Sequence, residues 1–168
     1  RVYAENQETQ KIIRHQAEHD TLTELLNRGS YEKVLNIYEK GEVPFALILV
    51  EVDIFKSVND TYGHAVGDEI LKKVSRLLKD AFRSIDYVCR IGGDEFAVVM
   101  VDVTSSLQYT VEDKITSINK ELAKAEENLP AISLSVGVAF SDRENLGESI
   151  FKDADKALYY IKEHGKSG

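Results

Sequence analysis

Apolar positions recur at two spacings along this chain, and the switches between them predict the order of its elements. From Arg1 to about Arg28 the sequence is polar and helix-permissive, with Ile12, Ile13 and Ala17 as its few apolar points and no Gly or Pro before Gly29. It reads as a solvated helical lead-in, because the sustained heptads of a stable coiled coil are absent. Tyr31, Val34, Leu35 and Tyr38 then recur at helical spacing, and Gly41 stops that helix. The run Phe45-Ala-Leu-Ile-Leu-Val-Glu-Val-Asp53 is almost uninterrupted, which suits a central strand covered on both faces, yet it ends on Glu51 and Asp53. Ile70, Val74, Leu77, Leu78 and Phe82 mark a helix with one apolar face. Tyr87 to Ile91 and Phe96 to Val101 flank Gly92 and Gly93; paired glycines there predict a hairpin turn, since Gly supplies the positive φ of primed turns. Thr110-Val-Glu-Asp113 resembles a capping box ahead of Ile115, Ile118, Leu122 and Ala125. Ile132, Leu134, Val136, Val138 and Phe140 alternate with Ser133, Ser135, Gly137 and Ala139, a strand with one bulky and one small face. Ile150, Ala154, Ala157, Leu158 and Ile161 make a closing helix.

From the first strand onward, after the lead-in helix and the Tyr31 helix, the order strand, helix, strand, strand, helix, strand, helix is the split βαβ pattern of an α+β, ferredoxin-like antiparallel sheet flanked by helices. In that arrangement the first strand runs antiparallel to the third, so the end of one lies beside the start of the other. Glu51 and Asp94, distant in sequence, should therefore meet.

Composition narrows the function classes. At 168 residues the chain is one ordinary domain with an additional helix. A net charge of −8 argues against a nucleic-acid or anionic-membrane surface, both of which need clustered Lys and Arg, so an anionic substrate would need a metal or local cations. No apolar run approaches a membrane span and no signal peptide is visible. The single Cys89 reads as a small core residue, which agrees with a reducing cytoplasm. Because it starts at Arg1 rather than Met, the chain is expected to be a fragment of something longer, whose missing N-terminal regions could carry a membrane anchor.

Arg90-Ile-Gly-Gly-Asp-Glu-Phe96, together with Val52-Asp-Ile-Phe-Lys-Ser-Val-Asn-Asp-Thr-Tyr-Gly-His-Ala-Val-Gly-Asp68 and His19-Asp-Thr-Leu-Thr-Glu-Leu-Leu-Asn-Arg28, resembles the GGDEF family, the diguanylate cyclases. The five-letter signature is intact at Gly92, Gly93, Asp94, Glu95 and Phe96. The resemblance implies a palm-type sheet, a signalling or linker helix over 1–19 leading from an upstream sensory domain, and a catalytic domain over 20–168. It implies a bacterial signalling enzyme that joins two GTP into cyclic di-GMP with loss of two pyrophosphates, one GTP per domain, as a homodimer.

Carried over by position, the resemblance makes Glu51, Asp94 and the Val52 carbonyl the ligands of Mg2+ or Mn2+, two ions per half-site; Mg2+ is commonly held by one or two carboxylates, waters and substrate phosphates. Either Asp94 or Glu95 helps remove the proton from the attacking hydroxyl. Backbone N–H groups of Ile54, Phe55 and Lys56 face the triphosphate, and Lys56 also offsets transition-state charge. Asn59 and Asp68 match the guanine-reading pair, a carboxylate suiting the N1 and N2 donors of guanine. His64 is expected in the same pocket, although a capping or packing histidine is nearly as good a reading. Lys162 and Lys166 fall where the family places cations against the terminal phosphates. Arg83-Ser-Ile-Asp86 falls where the family has its product-inhibition site, and Arg90 either lends it a second cation or simply pairs with a nearby acid.

Three positions depart from the pattern: Glu51 stands where Asp is usual, Lys166 where Arg is usual, and Glu24 where the opening segment normally has Gly. The first two leave reduced activity open, since a misplacement of about 1 Å can cost about 100-fold in rate and Lys lacks the planar fork of Arg. Two rivals remain: a non-catalytic receptor for GTP or cyclic di-GMP, and a monomeric palm acting on other nucleotides.

Overall fold

The computed structural model describes residues 2–126 and 128–165. Helices α1 (Val2–Glu18) and α2 (Arg28–Lys40) precede β1 (Phe45–Val52), α3 (Phe55–Tyr62), α4 (His64–Ala81), β2 (Tyr87–Arg90), β3 (Glu95–Val101), α5 (Gln108–Leu122), β4 (Leu134–Phe140) and α6 (Ile150–Glu163). The four strands form one antiparallel sheet in the order β2-β3-β1-β4, the split βαβ arrangement that the order of elements predicts.

The apolar run of β1 has a simple cause. Successive side chains of a strand point to opposite faces. Ala46, Ile48, Val50 and Val52 meet α4 and α5 through Ile70, Val74, Leu78, Ile115 and Ile118. Phe45, Leu47 and Leu49 meet α2 and α6 through Tyr31, Leu35, Ala154 and Leu158. With both faces buried no polar alternation is possible, and each such aliphatic side chain contributes roughly 1.5–3 kcal/mol.

The small face of β4 is the seat of α6. A Cβ on Gly137 would lie 2.2 Å from the Ala154 carbonyl oxygen and 2.4 Å from the Leu158 nitrogen, so the α6 backbone rests directly on the strand. That contact fixes the height of α6 over the sheet and so the place of Lys162, one turn beyond Leu158.

Several local expectations are corrected. Neither Gly92 nor Gly93 adopts positive φ, so side-chain contacts rather than left-handed glycines shape the hairpin tip. α5 begins at Gln108 after a 3-10 turn over Ser105–Leu107, which leaves Thr110 inside the helix rather than capping it, and Ala125 lies past its end. Gly41 closes α2 in an extended conformation, φ −91°, not a left-handed one. Phe82 caps α4 from outside the helix while staying buried. Gly63, at φ 92°, splits the segment after β1 into α3 and α4, a break that the apolar spacing does not announce.

α1 is fastened at its C-terminus. The Asn27 amide donates to the Ala17 carbonyl (2.7 Å), and the Asn27 N–H (2.9 Å) and Ser30 hydroxyl (2.7 Å) donate to that of Glu18. These bonds satisfy carbonyls that a helix end leaves unpaired. Between them, Glu24 sits at φ 66°, which explains why glycine suits this position.

Two outcomes follow for stability. Gly137→Ala should cost about 3 kcal/mol, because the obstruction is backbone and cannot rotate away; an unchanged urea midpoint would contradict the seating of α6. Glu24→Gly should stabilise by about 1 kcal/mol, since the exposed Glu24–His15 contact it removes contributes little. A lower midpoint would mean that this contact outweighs the strain.

Candidate active site

Strand register builds the acidic end of the sheet. Glu51 pairs with Glu95 across β1 and β3, so their side chains project from the same face, and the Val52 N–H donates to the Asp94 carbonyl (3.0 Å). Burial raises the Asp94 carboxyl above the usual carboxylate range, and the neighbouring Glu51 charge raises it further. Glu95 is raised likewise, by burial, then Glu51, then Asp94. Lys162 of α6 donates to Glu51 Oε1 at 2.8 Å, a bond that lifts its own pKa. Three carboxylates thus share one ammonium. Asp155 of α6 adds a further charge that raises Glu95, a contributor the sequence reading missed although its helical spacing from Lys162, one turn and then another, puts both on one face.

The hairpin tip is held from outside. Arg90 donates to the carbonyls of Gly92 (Nε, 3.2 Å) and Gly93 (Nη2, 2.8 Å), while its Nη1 reaches both oxygens of Asp20 (3.2 and 3.1 Å). Burial opposes ionisation of Asp20, but hydrogen bonds from Thr23 and Arg90 hold its carboxyl below the usual range. Arg28 adds a bond to the Ile91 carbonyl (3.1 Å). Asp20 is therefore a positioning residue that carries no role in the sequence reading.

At the turn out of β1, Ile54 lies in the left-handed region (φ 50°, ψ 31°), a strained setting for a β-branched side chain, and no side chain caps α3. A left-handed residue running into a helix is the backbone pattern of a nest, in which successive N–H groups can turn toward one anion, and here it falls at Ile54, Phe55 and Lys56. Asp53 anchors this turn from below. It is buried and accepts from the hydroxyls of Ser133 (2.5 Å) and Ser135 (2.6 Å) on the β4 side. Lys56 is exposed on the first turn of α3.

α4 folds back against α3 through Gly67, where a Cβ would come within 1.9 Å of Asn59 Oδ1. That oxygen is buried and has no hydrogen-bond partner. A buried acceptor left unpaired costs about 1–3 kcal/mol, so the site presents a ready place for an N–H donor. Asp68, next to Gly67, is exposed, as is His64 at the start of α4.

The remaining site candidates fall elsewhere. Asp86 is buried and accepts from the Arg83 N–H (3.0 Å), Nε (3.0 Å) and Nη2 (2.8 Å) and from the Val101 N–H (3.1 Å). Arg83 and Asp86 line a cleft with His19, Glu24 and Tyr38, whereas the Arg90 guanidinium belongs to the hairpin clamp. Lys166 lies outside the described residues. An apolar groove between α5 and β4, lined by Val111, Ile115 and Val136, shares no residue with the carboxylates.

Among the described residues no group of three or more His, Cys, Asp or Glu side chains is gathered closely enough to hold a metal by itself. The donor set at the sheet end is two carboxylates, Glu51 and Asp94, and the Val52 carbonyl, all hard oxygens. The mutual repulsion of the two carboxylates, which Lys162 offsets only in part, and the raised Asp94 carboxyl fit a partial shell for Mg2+ or Mn2+ that waters and phosphates would complete.

Comparison with known proteins points to one family. The family described as "Diguanylate cyclase, GGDEF domain" matches residues 17–168. Diguanylate cyclase DosC of Escherichia coli is 36% identical over 164 residues, covering 94% of this chain and 36% of its own length. Diguanylate cyclase DgcM of the same species is 32% identical over 97% of this chain and 40% of its own length. The chain thus spans well under half the length of these curated relatives. Among solved structures, the coiled coil and GGDEF domain of DgcB from Caulobacter crescentus, in complex with c-di-GMP, superposes with a TM-score of 0.84 at 27% identity, over 98% of this chain and 90% of that one.

The raised carboxyls carry a pH dependence. A carboxyl whose pKa is higher folded than unfolded takes up protons on folding, so its stabilising share is present in acid and is lost as pH rises through the folded value. Asp94→Asn should therefore stabilise the fold near neutral pH by on the order of 1 kcal/mol, read as a higher thermal midpoint, with the gain vanishing below the carboxylate range. An advantage that persists in acid would point to some other cause.

Proposed function

The chain belongs to the GGDEF diguanylate cyclase family, and from that premise we propose that it condenses two GTP into cyclic di-GMP and two pyrophosphates. The observation that carries this reading is the meeting of Glu51 and Asp94 at one sheet end, beside the Ile54 nest. Each 3′-hydroxyl attacks the α-phosphorus of the other nucleotide. A P–O bond forms, the α–β bridge breaks, pyrophosphate leaves, and the hydroxyl proton passes to Asp94 or Glu95.

Glu51, Asp94 and the Val52 carbonyl would hold Mg2+ or Mn2+, which neutralises phosphate charge when bound. Ile54, Phe55 and Lys56 offer N–H groups to the phosphates, and the Lys56 ammonium adds charge. The unpaired Asn59 oxygen accepts from guanine, with Asp68 taking its N1 and N2 donors and His64 on the rim. Lys162, with Lys166 beyond the described residues, serves the terminal phosphates. One domain holds one GTP, so catalysis needs two copies face to face. The division into a lead-in helix over 1–19 and a catalytic domain over 20–168, an upstream sensory domain and a cytoplasmic setting belong to the same proposal. The Arg83 cleft is the proposed product-inhibition site: Asp86 orients the guanidinium rather than touching ligand.

Incubation with GTP and Mg2+ should yield cyclic di-GMP at a rate that rises more than linearly with protein concentration. Asp94→Ala should lower it at least 100-fold. Saturable GTP binding without product would make the domain a receptor instead.

A further inference from the structure

Lys162 has three carboxylates in its neighbourhood and bonds one. Its Nζ lies 2.8 Å from Glu51 Oε1, with the two side chains 35% and 21% exposed, while Asp94 and Glu95 act on it only at longer range. An Asp at position 51 would end one carbon short of that contact. The ammonium therefore sits among the oxygens that the preceding reading gives to a divalent cation. Its backbone cannot retreat, because α6 is seated on Gly137 through Ala154 and Leu158. Only the side chain can swing.

We propose that the Lys162–Glu51 pair is a resting latch. It holds down the affinity of the empty site for divalent cations until nucleotide phosphates draw the ammonium away. The inference rests on Glu51 and Asp94 being the metal carboxylates. Phosphates gathered at the Ile54 nest carry more negative charge than Glu51 and accept the same donor, so nucleotide arrival frees a carboxylate and removes a repelling cation in one movement. A charge a few ångströms from a bound ion alters its affinity strongly in a dry site and modestly in a half-exposed one; about tenfold is the expected size here.

The test is titration of the whole chain with Mn2+ alone, without nucleotide, followed by the paramagnetic resonance of free Mn2+. Lys162→Met should bind Mn2+ about tenfold more tightly than the wild type, Lys162→Gln should do the same, and Lys162→Arg should match the wild type. Lys124→Met, the same charge change at an exposed pair with Glu121, should stay within about twofold. Mn2+ affinity in Lys162→Met no tighter than in Lys124→Met would overturn the latch. Asp94→Asn separates the layers: if it abolishes Mn2+ binding, the metal reading stands whatever Lys162 does, and if Mn2+ binds it as tightly as wild type, both readings fall.

Discussion

One constraint governs this molecule: the antiparallel register of β1 against β3. It sets Glu51 opposite Glu95 and brings Asp94 down onto the end of β1, and no rotamer of those side chains can undo that placement. Like charges opposite one another in a sheet are destabilising, and here burial adds to the cost by lifting Asp94 and Glu95 above their usual range. The strain persists because the remainder of β1 is apolar and buried on both faces, so a slip of one residue would turn Leu47 and Ile48 to the wrong layers. Core packing thus holds together charges that would otherwise separate.

The same logic extends to the parts that shape the site from outside. Arg90 is paired to Asp20 and grips the carbonyls of Gly92 and Gly93, while Asn27 and Ser30 hold the end of α1. The two sets of contacts lie on one short stretch of chain, 17–30, which thus touches both α1 and the hairpin tip. On the other side Asp53, buried between Ser133 and Ser135, ties the turn after β1 to β4, so the left-handed Ile54 is imposed by its surroundings.

Much of this was legible in the sequence, for physical reasons. The period of apolar residues reports which faces are buried, so the two-sided β1, the bulky and small faces of β4 and the order of elements could be read directly. Topology then placed Glu51 beside Asp94. Backbone conformation was less accessible. Gly92 and Gly93 looked like positive-φ residues and are not, whereas Ile54 and Glu24 are and look ordinary, because a side chain does not disclose strain that its neighbours impose. Glu24 was flagged only as a departure from a family glycine; its φ supplies the reason. The roles of Asp20 and Asp155 and the anchoring of Asp53 leave no local pattern, because their partners are distant in sequence.

The glycines of the site show what close approach demands. Gly67 and Gly137 do nothing with their conformational freedom; they matter for what a methyl group would strike, the Asn59 amide in one case and the α6 backbone in the other. The first leaves a buried oxygen without a donor, and the second fixes the helix that carries Lys162. An unmade hydrogen bond and a crowd of carboxylates are both costs to the fold, and a ligand that brought N–H donors and positive charge would relieve each. Under the proposed function these unsatisfied contacts are what substrate and metal would use, whereas the apolar groove at α5 shares no residue with them.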